Sequence, residues 1–315
     1  MAIDGDKLMR QAELGWLAAR IDKDMPDAPA TLWHYTEAAG LQGILTSQRI
    51  WATDARFLND AVEISYGAKV FVDALMRYDV TALKPATADY VNEIRDPNRR
   101  LISNYFDDAV RVFAACFCAE PDLLSQWRAY AGSDRAGGYA LGFQPPGPLP
   151  AWPQSAPGGH GLALRRVLYD EAEQVGEATA LIDALVRVLD LDPGDMSVRA
   201  AFDTWLADGA VEFASWCKHP SFHEEREWRV VYVPRDDPAP LAVKHRPAGG
   251  ILTPYVELYL PRSVGARPND LPLVEVRCGP SPQPERKKAG VRSFLATTTE
   301  FSHVNVTGTT SSLIV

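Results

Sequence analysis

The stretch Phe222–Val233, FHEEREWRVVYV, limits the fold more than any other part of this sequence. From Trp228 to Val233 it reads as a strand, with Trp228, Val230 and Tyr232 facing one way and Arg229, Val231 and Val233 the other. Both faces are apolar at the distal end, which predicts a central strand covered on both sides. Extending the alternation backwards puts Glu225 and Glu227 on the Arg229 face and Arg226 on the Trp228 face. Two carboxylates and a guanidinium at the entrance of such a strand mark either the edge of a cleft or a salt-bridged rim. Spacing leaves both open.

A second run, Val110–Cys118 (VRVFAACFC), has the length and apolar content of another buried strand. Shorter strands are predicted at Thr31–Tyr35, Arg49–Thr53, Gly138–Phe143 and Ala163–Tyr169, and across most of the C-terminal third. Helices are predicted at the amphipathic N-terminus, from Thr36 to Ser47, after Asn59, and over Leu123–Ala131. Three more are expected over Glu171–Leu189, Val198–Lys218 and Glu285–Thr297. Thr36 is a candidate cap for its helix, and Asp60 with Glu63 has capping-box spacing. The fold class is α+β: a mixed, mostly antiparallel sheet core with flanking helices. The expected organisation is an N-terminal helical extension, 1–30, and a single large domain, 31–315, with a Pro/Gly-rich loop at 144–161.

Charge narrows the partners. With 32 Lys and Arg against 41 Asp and Glu, the formal net charge is -9, which argues against a nucleic-acid coat protein or a polybasic membrane binder. A local basic pocket for a phosphorylated ligand is compatible with it. No segment reaches the roughly 18–20 apolar residues of a membrane span, and the N-terminus lacks a signal peptide's continuous apolar stretch. Four cysteines in 315 residues make no disulfide framework, so a reduced, cytoplasmic protein is expected.

His34 ends one predicted strand and Trp51 emerges on the next. A histidine can donate or accept a hydrogen bond near neutral pH, and a tryptophan can hold a flat ring. A satisfied strand-end histidine and a core tryptophan fit the pattern equally. Asp60 reads as a helix cap before a catalyst. Cys217, His219 and His223 are close in sequence, but Pro220 breaks any helix that would align them and no second Cys/His pair completes a zinc site. No metal is predicted there. Gly137-Gly138 permit a tight turn without a dinucleotide fingerprint, and P-loop, H-E-x-x-H and G-x-S-x-G motifs are absent from the sequence.

The ordered segments LWHYT, GILTSQRIWAT, FLNDAVE, FAACFC, SQWRAYA, GGYALGF, VLYDE, FHEEREWR, GGILTPYVE and VEVRCGP resemble the bacterial family known as domain of unknown function 2971. The resemblance spans Leu32–Pro280. Ala61 stands where that family tends to have Pro, and Ala119 where Ser is more typical. The opening unit, from His34 through Ile44-Leu45 to Ile50-Trp51-Ala52, also resembles the start of ADP-ribosyltransferase folds. That resemblance implies NAD as substrate, with Glu227 and Glu225 as catalytic carboxylates and His34, Thr36, Trp51 and Arg229 binding it. It implies ADP-ribosyl transfer to a protein or nucleic-acid acceptor, or NAD glycohydrolysis, in a toxin or anti-phage effector. Trp51 stands where Tyr is commoner. The rival readings are a metal-dependent nucleic-acid-processing enzyme using Asp60, Glu225 and Glu227, and a ligand-sensing or interaction module without catalysis.

Overall fold

A computed structural model describes residues 4–24, 27–58, 62–96, 111–130, 137–144, 163–234, 241–248, 250–260, 271–297 and 299–311. The chain begins with helix α1 (Gly5–Asp24), strand β1 (Leu32–Thr36), α2 (Ala38–Ser47) and β2 (Ile50–Asp54). It continues through α3 (Val62–Arg77), α4 (Pro85–Ile94), β3 (Phe113–Cys118), α5 (Leu124–Tyr130), β4 (Tyr139–Phe143) and β5 (Ala163–Arg166). Next come α6 (Glu171–Leu189), α7 (Met196–Ala214), β6 (Glu227–Tyr232), β7 (Lys244–Ala248) and β8 (Ile251–Leu258). Strand β9 (Leu273–Cys278), α8 (Pro284–Leu295) and β10 (Asn305–Gly308) complete it. The protein is thus mixed α and β with a mostly antiparallel open sheet and flanking helices, as the sequence pattern predicts. The expected loop at 144–161 and the Asp60 cap fall almost wholly outside the described residues; only Gln144 is within them. Among the described residues no helix is long and apolar enough to cross a membrane.

The chain divides into two compact units. The first joins Met1–Pro26, Asp60–Val112 and Val167–His223, and is helical. Helix α7 buries Phe202, Trp205, Leu206, Ala210, Phe213 and Ala214, the pattern of a helix packed around most of its circumference. Asp170 and Asp195 cap α6 and α7 by accepting the Glu173 and Ser197 backbone N–H groups. Helix α3 meets the end of α7 at Gly67, where a Cβ would lie 2.6 Å from the Ala214 Cα, so only glycine allows that approach. Buried Arg20 of α1 reaches Asp24, Glu173 and Glu177 at 2.7–3.0 Å, fastening α1 to α6. Tyr90 of α4 donates to Asp203 of α7.

The second unit joins Asp27–Asn59, Phe113–Arg166 and Glu224–Val315 and contains the sheet. Its order is β10-β9-β4-β1-β3-β2-β8-β7, with β6 on β3 and β5 on β6. Every named pairing is antiparallel except β9 with β10. Strand β3 has three neighbours. Strand β6 covers one edge throughout, from Phe113↔Tyr232 to Cys118↔Glu227. The other edge is shared: β1 pairs at Trp33↔Cys118, and β2 at Thr53↔Ala114 and Asp54↔Phe113. Peptide groups of alternate residues point to alternate edges of a strand. Between Ala114 and Cys118, therefore, only Cys116 turns its peptide edge into the fork where β1 and β2 part.

Side-chain alternation makes the two faces of this sheet unlike. Phe113, Ala115 and Phe117 share one face with Trp228, Val230 and Tyr232, all buried. The other carries Cys116 and Cys118 beside Arg229 and Glu227, with Arg165 next in register. All four cysteines are free thiols. Near α5 the core gathers Trp33, Tyr35, Cys118, Trp127 and Ala140.

Candidate functional site

His34 leaves β1 at the fork and replaces the missing rung. Its Nδ1 lies 2.8 Å from the Cys116 carbonyl oxygen. A carbonyl only accepts, so Nδ1 carries the proton and Nε2 presents a lone pair. Burial pushes the His34 pKa down to about 4; the nearby Arg246 charge adds to the shift and the carbonyl contact opposes it. At neutral pH His34 is an uncharged acceptor. A base with a depressed folded pKa stabilises the fold above its unfolded pKa and loses that contribution on acidification. Stability is expected to fall between pH 6.5 and 4 by roughly 2 kcal/mol more than in His34→Gln, the full shift being discounted because the residue as a whole is partly exposed. Urea unfolding across that range reads the difference; parallel profiles for the two proteins would contradict it.

Trp51 emerges on β2 as the sequence predicts and is half-buried. Its ring lies 4.8 Å from Tyr255 of β8 at 37°, and 5.3 Å from the Arg246 guanidinium carbon on β7. Gly43 of α2 closes the far side: a Cβ there would sit 1.9 Å from the indole. The indole Nε1 is shielded from solvent and has no hydrogen-bond partner among the described residues. Arg246 also donates to the Thr53 hydroxyl at 3.1 Å. Sequence reasoning missed Arg246, Tyr255 and Thr53. The Gly249-Gly250 hairpin signal before ILTPYVE could have found Arg246 and Tyr255, since pairing across it sets Arg246 opposite Thr253.

The EEREWR segment departs from the sequence expectation. Strand β6 starts at Glu227, and Glu225 belongs to the 3-10 turn Pro220–Glu225. Between them Arg226 has φ 45°, a left-handed conformation that interrupts the alternation. Glu225 therefore does not extend the Glu227 face. Two anchors hold this turn: the Arg226 carbonyl accepts from Ala119, and its guanidinium pairs with Glu120 at 2.7 Å. The Glu225 carbonyl accepts the Cys118 thiol at 3.0 Å, and burial pushes that thiol up to about 12, so it stays protonated.

Glu227 and Arg229 form a buried bidentate pair, Nε to Oε1 at 2.7 Å and Nη2 to Oε2 at 2.8 Å. The strand period makes this possible by placing i and i+2 on one face. Register puts Trp51 and Thr53 on the same sheet face as Glu227 and Arg229, and His34 and Thr36 on the opposite one. So the sheet brings Trp51 and Glu227 to one side, while His34 packs 5.7 Å from Phe117 on the other. Thr36 is no helix cap. Glu37 takes that position without a side-chain bond, and the buried Thr36 hydroxyl lies against Gly40, where a Cβ would come within 2.0 Å.

Of the carboxylates considered for a metal, Asp60 lies outside the described residues, and Glu225 and Glu227 stand on different elements. His219 contacts Ser221 at 2.8 Å and His223 the Pro220 carbonyl at 3.1 Å, while Cys217 is buried. Among the described residues no group of three or more His, Cys, Asp or Glu is placed to hold a metal ion. No family model, curated protein or solved structure matches this chain.

Proposed function

We propose that this protein binds NAD at the fork and cleaves its nicotinamide–ribose bond, passing ADP-ribose to a protein or nucleic-acid acceptor or to water. The observation that supports the reading is the shared sheet face of Trp51 and the Glu227–Arg229 pair. Trp51 offers its half-exposed indole to the nicotinamide ring. Breaking the bond develops positive charge on the ribose, which the Glu227 carboxylate stabilises. Arg229 grips both Glu227 oxygens and so fixes the orientation of the carboxylate. His34 and Thr36 stand on the opposite face and take no part in this contact set. The resemblance to domain of unknown function 2971, and a role as a toxin or anti-phage effector in the cytoplasm, belong to the same proposal.

The test is nicotinamide release from NAD by the purified chain, with and without cell extract. Wild type is expected to release nicotinamide. Glu227→Gln/Arg229→Met, which removes both buried charges together, is expected to lose at least about 100-fold while keeping its circular-dichroism spectrum. Full activity in that double variant would remove Glu227 from the chemistry. A second reading, ligand binding without turnover, is favoured by the closed geometry of the Glu227–Arg229 pair. Binding of NAD without release, in buffer or extract, decides for it.

A further inference from the structure

The fork carries a cation that the readings above leave without a task. Arg246 comes from edge strand β7, and its guanidinium is oriented by three contacts on two other strands. These are the Trp51 ring at 5.3 Å, the Tyr255 ring at 6.0 Å and the Thr53 hydroxyl at 3.1 Å. Register confirms the grouping: Arg246 is opposite Thr253, and Tyr255 is opposite both Thr53 and Lys244, so all face the same side. The neighbouring Glu257 is engaged by Lys244 at 2.8 Å. A guanidinium lying against aromatic rings is weakly hydrated, always charged and planar, which suits two-pronged contact with phosphate. The Thr53 oxygen accepts from Arg246, so its own hydroxyl proton is available to donate. Trp51 Nε1 adds a shielded N–H with no partner among the described residues.

We infer that Arg246, with Thr53 and Trp51, is a phosphate-binding site, and that the ligand at the fork is a nucleotide whose ring and phosphate both lie beside Trp51. Together with the NAD reading, on which this last identification rests, the bound portion is the nicotinamide-mononucleotide half. The NAD-binding task that the resemblance implies for Arg229 passes to Arg246, because Arg229 grips Glu227.

Calorimetric titration of the full chain with inorganic pyrophosphate, nicotinamide mononucleotide, AMP and NAD tests this. Wild type is expected to bind pyrophosphate and nicotinamide mononucleotide, more weakly as salt rises. Arg246→Gln is expected to lose about 10- to 100-fold in affinity for both. Arg246→Lys should fall between, since it keeps the charge and loses the fork. Thermal unfolding of each variant separates binding from stability, because an arginine that only packs would shift melting and leave pyrophosphate affinity unchanged. No pyrophosphate binding by wild type, or equal affinity in Arg246→Gln, overturns the site. Arg246-dependent pyrophosphate binding without nicotinamide release keeps the site and rejects NAD cleavage. Tighter binding of AMP than of nicotinamide mononucleotide keeps the phosphate contact and overturns the assignment of the half. Nicotinamide release with unchanged affinities in Arg246→Gln does the reverse, sparing the NAD reading alone.

Discussion

Arg229→Ala is expected to lower the unfolding free energy at pH 7 by about 3–5 kcal/mol. The size follows from where the pair sits. Glu227 and Arg229 are buried on a central strand, so removing the guanidinium leaves a poorly solvated carboxylate without its bidentate counter-charge. Taking both charges away avoids that imbalance, and replacing a buried pair with apolar groups is often neutral. Glu227→Leu/Arg229→Met should therefore recover most of the loss. Urea denaturation of wild type, the single variant and the double variant reads all three numbers. A single-variant cost below about 1 kcal/mol would mean the pair behaves as an exposed one, and that water enters this face of the sheet. The same comparison guards the activity test, because Glu227→Gln alone would confound lost chemistry with lost stability.

Gly279→Ala is expected to cost about 3 kcal/mol, the upper end for forcing volume into a packed site. A Cβ at Gly279 would lie 1.8 Å from the Gly137 carbonyl oxygen and 2.7 Å from the Trp127 ring. The first neighbour is backbone and cannot swing aside. Gly137 itself has φ 68° and faces the Pro280 carbonyl, so the two segments meet backbone to backbone. The Gly279 N–H donates to the Gly138 carbonyl, which Lys287 also caps at 2.6 Å. Displacing Trp127 would reach further, since its indole donates to Asp122 at 2.6 Å. Asp122 also accepts from Thr309 and Thr310, tying the C-terminal segment to α5. Burial raises the Asp122 pKa, but these hydrogen bonds outweigh it and hold the group below the usual carboxylate range. Thermal melting of Gly279→Ala against wild type checks the cost. An unchanged melting temperature would mean that these segments part readily.

Element types were legible because they rest on periodicity. Helix α6 runs over the predicted residues, and the apolar runs around Phe113 and Trp228 became adjacent central strands. The predicted mostly antiparallel sheet is present. Pairing was not legible, since alternation within a strand says nothing about its neighbours. The shared edge of β3, which gives His34 its task, depends on residues 82 positions apart. Arg226 broke the reading of EEREWR because a left-handed arginine has no sequence signal; glycine would have given one. Arg246 was hidden by prolines: Pro247 and Pro254 interrupt the alternation of β7 and β8 and obscure that hairpin. Trp51 was picked out as an aromatic, while its setting on Gly43, Tyr255 and Arg246 comes from three separate elements.

Twist gives the fork a further consequence. Adjacent strands rotate by about 20° each, so an unbroken path of eight strands would turn by about 140° from end to end. Open sheets near that size relieve the rotation by curling or splitting. Here β1 and β2 part beside one peptide, Cys116, where an imidazole stands in for a backbone donor. The β10-β9-β4-β1 arm and the β2-β8-β7 arm can then each keep its own pitch while hanging from a common strand. The His34 side chain spans the gap between the two arms at the Cys116 carbonyl.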